Sequence, residues 1–241
     1  QAYIGPTKMV ISGSYNEPLA CLGCSHSPRE ISMYVPRAFA ENDTLTLHEQ
    51  MQATALPVLI TQGPQGLMAS HAPLLLKAEE GQYGTLYGHL ARANPQCQEL
   101  AEGAQALVIF AGEQAYISPS FYPSKAEHGK AVPTWNYVAV HAYAQPEVFE
   151  DAPRLLELVS QLSNRHEASR PNPWAVNDAP ADYIDSMLKA IVGFRLPITR
   201  LIGKRKLSQN RSAADQAGVR NGLLANSNPQ DHALARLIAK E

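Results

Sequence analysis

The chain has 241 residues, of which 45% are hydrophobic and 17% charged, a balance typical of a globular protein that buries a core. The formal net charge of −2 excludes a surface that is basic overall, so any affinity for nucleic acid must be local. The sequence has neither a basic leader followed by an apolar run nor about eighteen consecutive apolar residues, which predicts a cytoplasmic protein without a signal peptide or membrane span. Three cysteines are too few for a disulfide framework, and Cys21-x-x-Cys24 lacks a second pair at zinc spacing.

The first half of the chain predicts an irregular N-terminus followed by a helix and a hairpin. Residues 1–32 have no sustained periodicity and several glycines and prolines, so we assign them no function. The apolar spacing predicts a helix over Asp43–Thr54, and then two extended runs separated by Gly63-Pro64-Gln65-Gly66. The predicted strands of this half are 58–62, 67–76 and 85–90.

The second half predicts further strands interrupted by a helical insertion. Alternating or continuous apolar runs predict strands, and capped runs with helical spacing predict helices. The predicted elements are a helix from Asn94 to about Gly103, strands at 106–110, 115–118, 134–144 and 192–202, an insertion at about 151–190, and helices at 212–224 and 228–240. Hairpins with few crossover helices favour an α+β fold with a mainly antiparallel barrel over a doubly wound sheet. We therefore expect one domain over 33–225 and a C-terminal helix over 226–241.

Between Leu86 and Leu100 the spacing of the apolar residues changes from that of a strand to that of a helix, and this change marks the first candidate site. A strand ends here and a helix begins, with Asn94 as a natural N-cap and Pro95 as the first helical residue. Unpaired amides, the positive end of a helix and the guanidinium of Arg92 would meet at this corner, which suits a phosphate. The alternative interpretation is a capped helix beside a surface arginine.

Basic residues concentrate near the end of the predicted sheet. No acidic residue lies between Asp185 and Asp215. The basic residues of this stretch are Lys189, Arg195, Arg200, Lys204, Arg205, Lys206 and Arg211. Gly203 is predicted to turn the chain, with Lys204 and Lys206 pointing the same way. The positive charge of this stretch would suit a phosphate or nucleic acid. Alternatively, the basic side chains could simply protect a strand edge from pairing.

Six blocks of sequence resemble one known family. They are SHAPLLL at 70–76, GHLARANPQ at 88–96, FAGEQAYISPSFY at 110–122, VPTWNYVAVHAY at 132–143, IVGFRLPITRLIGKRKLSQN at 191–210 and QAGVRNGL at 216–223. Together, over Met33 to about Leu224, they resemble the PaiB family of FMN-binding split-barrel proteins, described as negative transcriptional regulators. The resemblance implies an FMN-binding split β-barrel with a helical insertion and C-terminal helices, whose flavin lies at a homodimer interface.

The resemblance and the chemistry of FMN together nominate the cofactor-binding residues. FMN needs donors for its phosphate, a flat wall for its ring and polar groups along the pyrimidine edge. We expect the phosphate near Arg92, Ala93 and Asn94. The other candidates are Gly88, His89, Ser70, His71, Trp135 and Asn136, with Lys206, Ser208 and Gln209 added by the resemblance. Trp135 could instead be a core aromatic residue.

The sequence leaves the activity open between a regulator and an enzyme. No residue is nominated as catalytic and none as a metal ligand; His71, His89 and His141 lack a zinc spacing and are interpreted as structurally satisfied. A PaiB-like regulator is the first hypothesis, with any DNA contact made by Lys204–Arg211. The alternatives are an FMN-dependent oxidoreductase resembling pyridoxamine-phosphate oxidase and a haem- or flavin-storage protein.

Overall fold

An antiparallel sheet, in which the long strand β9 occupies a central place, organises the fold. The computed structural model describes residues 33–64 and 66–238, so the predictions for 1–32 and for the end of the last helix lie outside the described residues. Within them the strands are β1 (Ala40–Glu41), β2 (Val58–Gly63), β3 (Gly66–His71), β4 (Leu75–Lys77), β5 (Thr85–Ala91), β6 (Ala106–Ile117), β7 (Thr134–Ala144), β8 (Glu147–Phe149) and β9 (Ile191–Lys206). Their order is β3-β2-β6-β7-β9-β5-β4, with β1 and β8 also paired to β9.

All strand pairs of this sheet are antiparallel, and its path has two ends. The ends are β3 and β4, so the sheet curls without closing, as in a split barrel. In β6 the register shifts between Ala111 and Gln114 where it pairs with β7. Such a bulge adds local twist, which helps a long strand to curve around a core. The predicted mainly antiparallel split-barrel fold is confirmed.

The helices cover the sheet at separate places. They are α1 (Thr44–Ala53), α2 (Gln96–Ala101), α3 (Ser124–His128), α4 (Ala152–Glu167), α5 (Ala181–Lys189), α6 (Ala213–Ala225) and α7 (Pro229–Leu237), with short 3-10 turns at 37–39, 119–121 and 176–178. Asp43 caps α1 by accepting the amide of Thr46 at 2.9 Å, and Asp151 caps α4 through the amide of Arg154 at 3.1 Å.

Three apolar clusters hold these layers together. The largest fills the curled sheet and joins β2, β5, β6, β7 and β9, with Phe110, Phe194 and Leu196 almost fully buried in it. A second cluster packs α6 and α7 against the far end of β6 and β7. A third lies between α4, α5 and strands β8 and β9. The insertion and the C-terminal helices thus cover different parts of the sheet.

The structure corrects two predictions about where the chain stays extended. The run 67–76 is not one strand, because Ala72, Pro73 and Leu74 separate β3 from β4, and a proline cannot donate to a sheet ladder. Gly203 does not turn the chain: it lies within β9 opposite Val140, and a Cβ there would come within 2.2 Å of Leu47 Cδ2 and 2.8 Å of Glu41 O. It is a glycine because α1 and β1 approach the strand closely at this point.

Among the described residues, no helix is both long and apolar enough to cross a membrane. The same residues contain no group of three or more histidine, cysteine, aspartate or glutamate side chains that could hold a metal ion.

Candidate functional site

The guanidinium of Arg92 ties the corner after β5 to the insertion. Its Nε donates to Lys189 O at 2.8 Å, Nη2 to Ile191 O at 3.1 Å, and Nη1 pairs with Glu150 Oε2 at 2.8 Å. The side chain is still 45% exposed. Since a guanidinium carries five N–H donors, two of them stay available for a phosphate, but Glu150 competes for the charge.

The backbone of the same corner is more fully paired than the sequence suggested. The amides of Arg92, Asn94 and Cys97 donate to main-chain oxygens, and Gln96 N donates to Asn94 Oδ1 at 2.9 Å. Within the described residues the amide of Ala93 has no acceptor. The expectation of several unpaired amides is therefore wrong, because the turn and the cap use most of them, and α2 is only six residues long. Asn94 does act as the capping side chain, although the helix begins at Gln96.

Asn94 also joins the corner to β3. Its Nδ2 donates to Ser70 Oγ at 3.0 Å, while Gln96, buried in the next turn, donates to Thr61 Oγ1 at 3.0 Å and Leu59 O at 3.2 Å. Ser70, Asn94 and Ala93 thus form one contiguous group. His71 follows Ser70 on the opposite face of β3 and is exposed.

The predicted pair Gly88 and His89 points to the two faces of β5. A Cβ on Gly88 would meet Leu74 and Phe194 at 2.5 and 2.6 Å, so this glycine is required by the core. His89 lies on the other face, opposite Gly193. Its Nδ1 is buried without a hydrogen-bond partner in the described part of the chain, and burial lowers the pKa of this histidine. The interpretation of His89 as structurally satisfied is therefore wrong.

A second group of predicted residues lies at the far end of β7 and β9. Asn136 is buried and donates from Nδ2 to Ser208 Oγ at 2.9 Å, and its Oδ1 has no described partner. Ser208 has a φ of 67°, a left-handed conformation that the Gln209 side chain supports by accepting from the amide of Leu207 at 2.7 Å. A buried, unpaired amide oxygen is the kind of group that a ligand can satisfy.

Trp135 and Lys206 belong to this group but face outward. Trp135 is 54% exposed and meets Tyr116 edge-on at a centroid distance of 6.0 Å, so the alternative of a core aromatic residue is wrong. Lys206 Nζ donates to Trp135 O at 2.6 Å and to Thr134 Oγ1 at 2.5 Å. Burial, with Lys204 and then Arg211 nearby, lowers the pKa of Lys206.

The two groups lie well apart in one chain. The register aligns Ser70 with Leu59 and Val108, whereas Asn136 lies opposite Ala115. The stretch of β6 from Val108 to Ala115 corresponds to about 20 Å of strand. The structure therefore brings Ser70, Ala93, Asn94 and Arg92 together, and separately Trp135, Asn136, Lys206, Ser208 and Gln209, but does not bring one group to the other.

The segment Lys204–Arg211 presents less charge than its sequence suggests. Lys204 is 7% exposed and its Nζ donates to Tyr34 O at 2.9 Å, near the rings of Tyr34 and Tyr137. Arg211 stacks over Tyr122 at 4.8 Å. DNA contact by this segment stays a prediction.

His141 was also interpreted as structurally satisfied, and that interpretation is wrong for its Nδ1. It lies on the outward side of β7 between Ile109 and Ile202, its Nδ1 is buried without a described partner, and burial lowers its pKa. Its place in the alternating pattern of β7 was the available signal, but the missing partner is visible only in three dimensions.

Comparisons with known proteins identify the family. Residues 33–200 match a family model described as "Putative FMN-binding domain". The "Protease synthase and sporulation protein PAI 2" of Bacillus subtilis is 31% identical over 206 residues, which cover 86% of this chain and 96% of that protein. An uncharacterized protein of Emericella nidulans is 33% identical over 220 residues, covering 73% of this chain and 88% of its own length.

Solved structures agree with the fold at low sequence identity. The flavocytochrome Anf3 of Azotobacter vinelandii superposes with a TM-score of 0.53 at 14% identity, covering 83% of this chain and 78% of that one. A FAD- and haem-binding protein of Mycobacterium smegmatis gives a TM-score of 0.52 at 14% identity, covering 74% and 78%. At such identities the likeness concerns the fold alone.

The family match covers most of the sheet and the first candidate group, and the Bacillus relative is aligned over nearly its whole length. The prediction of FMN as the cofactor is confirmed at the level of the family. This chain therefore belongs to the PaiB family of FMN-binding split-barrel proteins.

Proposed function

We propose that this PaiB-family protein is a negative regulator of transcription that works as a homodimer, with FMN bound between the two copies. The observation that supports the dimeric flavin site is the separation of its candidate residues into two groups about 20 Å apart along β6, whereas the regulatory role rests on the likeness to the PaiB family. If both groups contact one flavin, the Arg92 group of one copy and the Trp135 group of another must meet across an interface.

The sheet offers a surface for that interface. Eight side chains on the outward side of β2, β6, β7 and β9 are half-buried, and the described apolar clusters contain none of them. We call this surface the outer face; its members are Val58, Ile60, Leu107, Ile109, Ala139, His141, Tyr143 and Ile202. A cavity of about 430 Å³ opens on it beside Ile60, Leu107 and Tyr143. An apolar face of this extent is typical of a protein–protein interface.

The polar groups present fit FMN. The Ala93 amide and the remaining donors of Arg92 would hold the phosphate. Asn136 is buried on the other side of β7 from Trp135, so its unpaired Oδ1 would not contact a ring that packs on Trp135. Trp135, exposed and planar, would pack against the ring. Bound FMN supplies redox chemistry, so its oxidation state could set the activity of the regulator.

The phosphate assignment can be tested by titrating FMN and following its absorbance and fluorescence. We expect Arg92→Ala to weaken FMN binding at least about tenfold, a loss of about 1.4 kcal/mol. Glu150→Gln is the matched control, because it removes the same ion pair but keeps the guanidinium. It should bind FMN as tightly as the wild type or more tightly. Equal losses of FMN affinity in both variants would show that Arg92 acts through its ion pair with Glu150, which holds the corner in shape, and not by contact with the phosphate.

The regulatory role is tested separately from the cofactor. A mobility-shift assay with DNA from the protein's own genomic neighbourhood should show a complex that weakens as salt is raised, because phosphate contacts release counterions. Absence of a complex in both flavin redox states would overturn the role in direct repression. Steady oxidation of NADH or NADPH by the FMN-loaded protein would assign an oxidoreductase instead.

A further inference from the structure

A small, half-open pocket lies between α4 and the strand pair β4–β5, and none of the flavin candidates lines it. Its volume is about 200 Å³. This is below the roughly 300–1,000 Å³ of sites for drug-sized ligands, so the pocket suits only a small metabolite. Its lining residues are Leu75, Lys77, Glu80, Tyr87, Phe149, Arg154, Glu157, Leu158 and Gln161.

Two bases and two acids line this pocket, and none of the four forms an ion pair with another. Within the described residues Lys77 Nζ has no hydrogen bond or ion pair. Glu80 Oε2 accepts from Tyr87 Oη at 2.6 Å, and Glu157 Oε1 accepts from Gln161 Nε2 at 2.8 Å. Arg154 stacks on Phe149 at 4.0 Å and is 3.7 Å from Asp151 outside the pocket. Opposite charges therefore face one cavity without neutralising each other directly.

The remaining lining is mixed: Leu75, Phe149 and Leu158 are apolar, whereas Tyr87 and Gln161 are polar. Phe149 and Leu158 are 6% and 4% exposed and belong to the cluster that binds α4 to the sheet, and Leu75 packs against the same cluster. The pocket thus has a small apolar part on the side of the core and charged groups of both signs around it. A ligand that carries only one charge sign would leave two lining groups of its own sign without a counter-charge.

We propose that this pocket binds a free α-amino acid with an apolar side chain. The carboxylate would lie between Lys77 and Arg154, the ammonium would bind Glu157 and Glu80, and the side chain would rest on Leu75 and Leu158, because Arg154 covers the ring of Phe149. Charge-assisted hydrogen bonds of both signs select a zwitterion, and the cavity volume limits it to the size of a single amino acid. The site lies on the insertion and not in the flavin groups, so the protein would respond to a second small ligand.

Calorimetric titration of the full chain tests this site, with L-leucine, L-methionine, L-valine and L-phenylalanine as probes. We expect at least one to bind and to raise the melting temperature. The analogues leucinamide, which lacks the carboxylate, and 4-methylpentanoate, which lacks the ammonium, should bind the leucine site at least about tenfold more weakly. No heat and no thermal shift with any of the four at roughly 10 mM would overturn the proposal, as would equal binding of either analogue.

Variants of the lining residues test whether the amino acid binds in this pocket. Lys77→Met and Glu157→Gln should each weaken amino-acid binding at least about tenfold. Lys125→Met and Glu102→Gln change the same residue types at exposed positions, on α3 and directly after α2, and should leave amino-acid binding unchanged. Circular dichroism checks that each variant is folded. Binding that survives both pocket variants would refute the assignment, whereas FMN binding, read by absorbance, should be the same in all four variants.

Discussion

At the scale of single residues, position 203 requires a glycine because of close packing and not because the chain turns there. It continues β9, and α1 and β1 come so close that a methyl group would overlap Leu47 and the carbonyl of Glu41. The sequence around it, rich in basic residues, suggested a turn, since glycine is common at turns. The reason for this glycine lies in residues more than 150 positions away along the chain.

We expect Gly203→Ala to destabilise the protein by about 1–3 kcal/mol, because the added methyl group must displace backbone and a buried leucine. Gly112→Ala is the matched control. There the Cβ would meet only the end of the Gln50 side chain, at 2.7 Å, and that flexible side chain can move away. Gly112→Ala should lower the free energy of unfolding by no more than about 1 kcal/mol. Urea denaturation of both variants gives the comparison, and equal losses would contradict this explanation of Gly203.

At the scale of elements, the buried stripe of α4 differs at one position from the stripe that helical spacing predicts. The apolar residues over 151–165 predict a buried stripe of Leu155, Leu156, Val159 and Leu162, and Val159 does pack against the cluster below the helix. The structure buries Leu155, Leu158 and Leu162, while Leu156 is 40% exposed and lines a groove towards α5. Apolar residues occur all along this helix, so periodicity permits two neighbouring stripes, and the position of β8 and β9 selects one.

Leucine-to-alanine substitutions on α4 therefore separate the two stripes. Leu158→Ala should cost about 2–5 kcal/mol, because it leaves a cavity in the cluster below the insertion. Leu156→Ala, two positions earlier on the same helix, should change the unfolding free energy by no more than about 1 kcal/mol. Thermal and chemical denaturation followed by circular dichroism measure both values. A larger loss in Leu156→Ala would contradict the packing described for α4.

At the scale of the whole molecule, the outer face and the two separated groups of flavin candidates both indicate that the proposed flavin site needs a second copy of the chain. A single copy presents half of the proposed flavin contacts at the corner after β5 and the other half at the end of β7 and β9. The outer face connects these places across β2, β6 and β7. A second copy packed on this face would both cover its apolar side chains and complete the cofactor site.

Sedimentation equilibrium tests this assembly. The wild type should be a dimer, and Ile109→Arg should be a folded monomer with FMN affinity lowered at least about tenfold, because a charge would be buried at the centre of the interface. Leu224→Arg places the same charge on an exposed leucine of α6 and should remain dimeric. A dimeric Ile109→Arg variant would show that the copies meet elsewhere.

The sequence by itself determined most of the long helices and strands, the antiparallel class of the fold and the family. These follow from local signals, such as the alternation along β7, the caps Asp43 and Asp151, and the PaiB-like blocks, which need no knowledge of distant contacts. Only the tertiary structure decided which charged side chains are available to bind a ligand. Arg92 is tied to Glu150 and two carbonyls, Lys204 is buried against Tyr34, and Lys77 faces an amino-acid-sized pocket. A charged side chain's partners come from strands far away in the chain, so its availability for a ligand depends on the packing of the whole sheet.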